Sequence, residues 1–208
     1  MERLEIPQKS IYRISLYGRC LERLHDNGHE MVSSAALAAA AGVKPSQLRR
    51  DLAYFGTFGT RGLGYPVEAL RQAINEGLGR AKLQPVIMVG AGNLGRALLR
   101  YDGFKKEGYE VLAAFDAAVE SLADKEIPVP LYASDELPKF IKKNSVQMAI
   151  LCVPGDKAQE VFNVLVKAGI QGVLNFSPVL LQVPPDVTVN NVDLALELEN
   201  LSYFILKK

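Results

Sequence analysis

The chain has 208 residues, is 49% hydrophobic and 23% charged, and contains 17 Gly and 11 Pro. These proportions exclude disordered, collagenous and low-complexity classes and fit one large domain or two small ones. The net charge of +1 excludes a histone-like polycation, yet residues 1–84 hold 12 Lys/Arg against 8 Asp/Glu and residues 85–208 hold 12 against 15. A basic front half beside a mildly acidic back half suggests a nucleic-acid module joined to something else. Cys20 and Cys152 form no C-x-x-C pair, so a disulfide framework or zinc ribbon is not expected. The charged start, Met1-Glu2-Arg3-Leu4-Glu5, shows no signal peptide, and no apolar run approaches a membrane span. The expected setting is cytoplasmic, with no membrane partner.

In chain order, Ile11, Ile14, Leu21 and Leu24 fall at helical spacings and predict a helix over 8–27, stopped by Asn27-Gly28. Ser33 or Ser34 can cap a short helix at 35–41, ended by Gly42. Pro45 suits the first turn of another helix, through Leu52 to Tyr54. Residues 55–66 are glycine-rich and predict a tight hairpin or loop. Residues 67–78 predict a further helix, and 79–84 a linker.

From Pro85 onward, apolar strands alternate with helices. Strands are predicted at 86–89, 111–115, 148–153 and 172–176, and helices at 94–104, 136–143 (capped by Ser134 or Asp135) and 157–168. This alternation means a parallel α/β sheet. A last helix over 193–206 is apolar on several sides, through Leu194, Leu196, Leu198, Leu201, Tyr203, Phe204, Ile205 and Leu206. It must be covered on several sides, by its own sheet or by a partner subunit.

Gly90-Ala91-Gly92-Asn93-Leu94-Gly95 fits G-x-G-x-x-G, and it follows a buried strand and opens a helix. Gly90 permits the tight turn, Gly92 lets backbone N–H groups approach a pyrophosphate, and Gly95 lets helix and strand pack closely. Asp116, 21 residues past Gly95, ends the next strand, where a carboxylate accepts hydrogen bonds from the ribose of NAD and repels the 2′-phosphate of NADP. Cys152-Val153-Pro154-Gly155 and Asn175-Phe176-Ser177-Pro178 end the third and fourth strands and are candidate walls for the nicotinamide half.

The helices at 35–41 and 46–54 resemble a helix-turn-helix. Ser46, Gln47, Arg49 and Arg50 sit near the start of the second. Arginine can read guanine, glutamine can read adenine, and either can hold phosphate. The glycine-rich segment with Arg61 looks like a wing that sets a cation against the minor groove.

Ser46-Gln47-Leu48-Arg49-Arg50-Asp51-Leu52-Ala53-Tyr54-Phe55-Gly56, followed by Gly59-Thr60-Arg61-Gly62-Leu63-Gly64-Tyr65, closely resembles the recognition helix and wing of the Rex redox-sensing transcriptional repressors. The resemblance continues through Gly90–Gly95, Val153-Pro154, Ala168-Gly169-Ile170, Leu174–Pro178 and Asn191-Val192-Asp193, in order along nearly the whole chain. It implies an α/β protein with a winged-helix domain over 1–84, a Rossmann-type doubly wound sheet over 85–192, and a domain-swapped C-terminal helix over 193–208. It implies a homodimer on an inverted-repeat operator of fermentation and respiration genes. NADH would close the dimer and release the DNA, while NAD+ competes and leaves the DNA-competent form.

By the same resemblance, Arg49, Arg50 and Arg61 look like the DNA contacts, and Ser46, Gln47, Tyr54 and Gly62 on the same helix and wing are further candidates. Gly90, Gly92, Asn93, Gly95 and Asp116 match the dinucleotide-binding positions, and Ala91, Leu94, Val153, Pro154, Asn175, Phe176, Ser177 and Pro178 are further candidates for the NADH/NAD+ site. Arg19, Tyr101 and Asp193 form the group that rearranges between states. Ala117-Ala118-Val119 departs from the polar residues that many members carry after the ribose carboxylate, and Leu194 stands where some carry an aromatic residue.

Two other readings compete: a small NAD-dependent oxidoreductase, and a nucleotide-binding interaction module without DNA. Hydride transfer needs a positioned acid/base. The two histidines, His25 and His29, flank a turn in the basic half, so neither catalysis nor a metal pair is expected of them. The arginine-bearing helix and wing count against the second. Neither cysteine is expected to act as a thiol sensor.

Overall fold

The computed structural model describes residues 6–56, 58–59, 63–122 and 125–206. The chain divides into two compact units, residues 1–82 and 83–208.

In the first unit, α1 (Gln8–Asp26) buries Ile14, Tyr17, Gly18 and Leu21, spaced three and four apart as one helical stripe requires. Gly28, at φ +74°, takes the left-handed turn that follows it. A two-residue strand, β1 (Met31–Val32), comes next. Helix α2 (Ser34–Ala40) is capped by Ser33, whose hydroxyl oxygen accepts from the Ala36 N–H at 3.0 Å. Helix α3 (Pro45–Leu52) has proline in its first turn and buries Leu48, Asp51 and Leu52. Strand β2 (Tyr65–Pro66) pairs antiparallel with β1, Met31 opposite Pro66 and Val32 opposite Tyr65. After the glycine-rich segment, expected to be a tight hairpin or loop, the chain thus pairs with a strand that precedes α2. Helix α4 (Val67–Gly77) adds Val67, Leu70 and Ile74 to a core shared with α1, α2 and α3.

The second unit begins with β3 (Gln84–Val89), followed by α5 (Asn93–Leu99), α6 (Gly103–Lys106), β4 (Tyr109–Asp116) and β5 (Leu131–Ala133). Then come α7 (Leu137–Asn144), β6 (Met148–Leu151), α8 (Gly155–Ala168), β7 (Gly172–Asn175), β8 (Thr188–Asn191) and α9 (Leu194–Leu206). Among the described residues the sheet has six strands in the order β5-β4-β3-β6-β7-β8, all neighbours parallel. The order reverses between β3 and β6, which makes the topological switch point where ligands of such sheets bind, beyond the carboxyl ends.

Alternate residues of β3 serve opposite faces. Ile87 and Val89 join Leu137 and Ile141 of α7 and Ala158, Phe162 and Leu165 of α8 in one core. Val86 and Met88 join the core on the other face, with Leu98, Leu99 and Phe104 packed against it. Beyond those side chains the second face opens into a groove of about 680 Å³, lined by Val86, Met148, Ile150, Leu174 and Gln171 among others.

Three features depart from the sequence reading. The helix expected over 94–104 is two helices, broken at Arg100–Asp102, where Gly103 packs so closely on the Tyr101 ring that a Cβ would collide with it. Strands β5 and β8 were not predicted: one has three residues, and the other, Thr-Val-Asn-Asn, is a largely exposed polar edge. The strand expected to run to Val153 ends at Leu151, and α8 starts two residues early, at Gly155. Helix α9 is exposed along its length. No described helix is long and apolar enough to cross a membrane.

Candidate nucleotide and DNA sites

The glycine loop lies between β3 and α5, at the switch point. Gly90 has φ +93°, and a Cβ on it would stand 2.5 Å from the Cys152 carbonyl oxygen. A Cβ on Gly95 would collide with the carbonyl oxygen of Gly90. Both glycines are therefore required by packing. Gly92 is different. It precedes α5 with φ −64°, and a Cβ there would meet nothing within 4 Å. No packing demand explains glycine at this position, and the open side is the one a pyrophosphate needs in order to reach backbone N–H groups. The residues present thus fit a dinucleotide.

Asp116 ends β4, and its carboxylate already ties the loop together. Oδ2 accepts from the Ala91 N–H at 2.8 Å, and Oδ1 accepts from the Ala118 N–H at 2.9 Å. A carboxylate has about four acceptor positions, so two remain for ribose hydroxyls. The alanines after Asp116 close a turn onto it through a backbone N–H that any non-proline residue would supply. Asn93 and Leu94 open α5, and both are exposed. Asn93 Oδ1 accepts from Arg96 Nη2 at 2.8 Å, which places a guanidinium beside the loop that the sequence reading did not single out.

At the ends of β6 and β7 the side chains divide in role. Asn175 is buried, and its amide nitrogen donates to the Val179 carbonyl oxygen at 3.0 Å and to Asn191 Oδ1 at 2.9 Å. Asn175 Oδ1 accepts from the Ser177 N–H at 2.9 Å, and Ser177 Oγ donates to the Val153 carbonyl oxygen at 2.7 Å. Asn175 and Ser177 thus build the strand-end loop with their side chains. Phe176 is half-buried against the second core, Pro178 is exposed, and Pro154 precedes α8. Burial pushes the Cys152 thiol up to about 12, which makes it a poor nucleophile.

On α3, Ser46, Arg49 and Arg50 are exposed at i, i+3 and i+4 and share one face. Arg49 Nη1 donates to Ser34 Oγ at 3.2 Å. Gln47 is half-buried, and Nε2 donates to Asp51 Oδ1 at 2.9 Å. Tyr54 lies in the turn after the helix. Arg61 and Gly62 lie outside the described residues. Asp51, which the sequence reading passed over, is 1% exposed and joined to Arg13 and Tyr17 of α1. An acid set between Leu48 and Leu52 on the apolar stripe, with Arg13 and Tyr17 four apart on α1, is the signal that could have revealed it.

Arg19 lies on α1, in the first unit. Tyr101 is exposed and stands edge-on to Phe104, with ring centroids 5.2 Å apart. Asp193 caps α9, its Oδ1 accepting from the Ala195 N–H at 2.9 Å and the Leu196 N–H at 3.2 Å. No hydrogen bond joins Asp193 to Tyr101 in this structure.

Comparison with known proteins covers both units. Residues 5–53 match the family described as putative DNA-binding protein N-terminus, and residues 81–179 match the CoA binding domain. The redox-sensing transcriptional repressor Rex of Pelotomaculum thermopropionicum is 42% identical over 208 residues, covering 100% of this chain and 98% of that protein. Rex 1 of Thermotoga maritima is 43% identical over 206 residues, 98% of each. Among solved structures, the Rex-family repressor RSP in complex with β-NAD+ and operator DNA superposes with a TM-score of 0.91 at 38% identity, covering 98% of this chain and 94% of that one. RSP in complex with β-NADH gives 0.87 at 36% identity, covering 98% of this chain and 96% of that one.

Set beside a glycine loop shaped for a pyrophosphate and a helix bearing paired exposed arginines, this relatedness over the full length makes the chain a member of the Rex family of redox-sensing transcriptional repressors.

Proposed function

We propose that the chain is a cytoplasmic repressor that binds an inverted-repeat operator as a homodimer and releases it when NADH binds. The observation that carries this reading is the match, over 98% of the chain, to a repressor whose structure contains both β-NAD+ and operator DNA. Residues 1–84 form the winged-helix DNA-binding domain, with α3 as recognition helix and the segment between α3 and β2 as wing. Ser46, Gln47, Arg49, Arg50 and Tyr54 contact DNA from the helix side, and Arg61 and Gly62 from the wing. Residues 85–192 bind NADH or NAD+ as a regulatory ligand: Gly90–Gly95 hold the pyrophosphate, Asp116 the ribose, and Val153, Pro154, Phe176 and Pro178 flank the nicotinamide end. Asn175 and Ser177 shape that end.

Helix α9 supports the dimer. Its apolar side chains, from Leu194 to Leu206, are between 54% and 85% exposed. A helix this apolar is stable in water only when covered. The second face of the sheet offers an apolar groove as well. In the proposed dimer, residues 193–208 are exchanged between subunits. Arg19, Tyr101 and Asp193 change partners between the open, DNA-bound form and the closed one. Asp193 suits that role, because a carboxylate that caps its own helix can also accept from a guanidinium or a phenol.

The test is fluorescence anisotropy of a labelled inverted-repeat operator, titrated with NADH and then NAD+ at fixed salt, since phosphate contacts make affinity salt-dependent. Release by NADH at concentrations where NAD+ does not release is the expected result. Tight binding indifferent to both nucleotides would overturn the redox part of the reading.

A further inference from the structure

The buried acid of α3 does more than join two helices. Asp51 accepts four hydrogen bonds: from Arg13 Nε at 2.6 Å, Arg13 Nη2 at 2.7 Å, the Tyr17 hydroxyl at 2.8 Å and Gln47 Nε2 at 2.9 Å. Arg13 Nη2 also donates to Ser10 Oγ at 3.0 Å, which fixes the guanidinium on α1. All four acceptor positions of the carboxylate are therefore filled. Burial acts to raise the Asp51 carboxyl, but the bonds from Arg13, Tyr17 and Gln47 prevail and hold it below its usual range. It is ionised at neutral pH, and an ionised carboxylate only accepts.

This settles which way the Gln47 amide is turned. An amide can normally flip, exchanging its donor and acceptor ends. Here the nitrogen must face Asp51, because a carbonyl oxygen there would meet another acceptor. Gln47 keeps its carbonyl oxygen and one N–H free, at the start of α3 and beside Ser46 and Arg50. That pair of groups complements adenine in the major groove, which offers the N6 amino donor and the N7 acceptor. It does not complement guanine, whose N7 and O6 both accept.

We propose that Asp51 is a positioning residue for base selection: by holding one amide N–H of Gln47, it fixes that side chain as a reader of adenine in each operator half-site. The inference rests on the reading of α3 as the recognition helix. It assigns Asp51 no contact with DNA, since its acceptors are taken and its charge is balanced by Arg13.

The experiment measures operator affinity of the full-length protein for a set of operators carrying every single base-pair change, made symmetrically in both half-sites. The proteins are wild type, Gln47→Ala, Asp51→Asn, the double variant, Tyr17→Phe and Arg50→Ala. Wild type is expected to prefer A·T at one position per half-site by about 10-fold or more over each alternative. Gln47→Ala and Asp51→Asn each flatten the preference at that position alone, and the double variant adds nothing further. Asparagine has the shape of aspartate but can donate, so the amide of Gln47 is free to turn over. Tyr17→Phe removes a bond to Asp51 without touching Gln47 and keeps the preference.

A uniform loss of affinity across all operators in Asp51→Asn, or the same flattening in Tyr17→Phe, would show a purely structural acid and overturn the proposal. If Asp51→Asn does not fold, the ¹⁵N spectrum of the wild type decides. A Gln47 side-chain amide proton shifted away from those of free glutamines supports the bond, and one coincident with them overturns it. Arg50→Ala separates the two levels of argument. If it leaves affinity unchanged for every operator, α3 is not the recognition helix and the underlying reading fails. If it weakens binding while Asp51→Asn leaves the base profile intact, only the proposal fails.

Discussion

Replacing Gly92 with alanine is expected to leave the protein as stable as before and to impair nucleotide binding, whereas alanine at Gly90 should unfold the loop. The difference follows from what each Cβ would meet. At Gly92 it meets nothing within 4 Å, and the backbone already has φ −64°, which alanine adopts freely. Stability should change by no more than about 0.5 kcal/mol, and the smaller entropy of the unfolded chain acts in favour of the variant. At Gly90 the Cβ would lie 2.5 Å from the Cys152 carbonyl oxygen, one residue past β6, on a backbone at φ +93°. Strain and overpacking together cost about 2–5 kcal/mol. For a chain of this length that lowers Tm by roughly 5–20 °C. The added methyl at Gly92 instead occupies the side a pyrophosphate approaches, and NADH affinity should fall by at least about 10-fold, or about 1.4 kcal/mol. Thermal melts and NADH fluorescence titrations on both variants check this. A Gly92→Ala protein that binds NADH like wild type would refute the assignment of that open side. A Gly90→Ala protein that melts with wild type would refute the packing argument.

Arg13→Ala should destabilise the first unit by about 3 kcal/mol, the low end for a broken buried pair because the Arg13 side chain is 23% exposed; urea unfolding measures it. The Asp51 carboxyl titrates lower in the folded chain than in the unfolded one. Its contribution to stability is therefore complete above the unfolded value of about 3.9 and is lost as pH falls through the folded value. Melts between pH 7 and pH 2 should show a smaller acid-induced fall in Tm for Asp51→Asn than for wild type. Cys152, with its thiol raised to about 12 by burial, should react with a disulfide reagent at pH 8 far more slowly than a free thiol; rapid labelling in the native state would contradict that burial. Aspartate at Leu201 and Phe204, both exposed on α9, should convert the proposed dimer to monomer in sedimentation while both compact units keep their melting transitions.

The sheet was legible because its central strands are buried on both faces. Val86-Ile87-Met88-Val89 is apolar at every position, so the signal does not depend on periodicity. Short and exposed strands carry no such mark. Met31-Val32 is recognisable only by its antiparallel pairing with Tyr65-Pro66, Val32 opposite Tyr65 and Met31 opposite Pro66, and β8 is polar because it is an edge. At the candidate site, spacing placed the glycine loop and the strand ends but not the direction of their side chains. Asn175 and Ser177 stand at a strand end, where ligands of such sheets bind, yet their polar atoms hold the loop itself together. Asp116 likewise closes the glycine loop, a contact across 25 residues that no local pattern encodes. Asp51 is the sharpest case. Its importance comes from burial opposite Arg13, and a charged residue in a helix reads as a solvated position until the packing is known.

On the proposed function, the parts of the site differ in what they can sense. NADH and NAD+ share their pyrophosphate and both riboses, so the glycine loop and Asp116 bind the two alike and cannot make the dimer answer one and not the other. A ligand moves populations only through its differential affinity, and a near-complete switch needs about 10⁴-fold. The discrimination must therefore lie at the nicotinamide end, where NAD+ carries a positive charge on the ring and NADH does not. The side chains proposed to flank that end are Val153, Pro154, Phe176 and Pro178, none of them charged or hydrogen-bonding. Burying a cation against such a wall without a partner is costly, while the neutral ring gains from leaving water. By linkage, operator DNA must weaken NADH binding by the same factor as NADH weakens DNA binding. NADH titrations with and without operator therefore measure the coupling directly, and equal affinities in the two would remove the allosteric account.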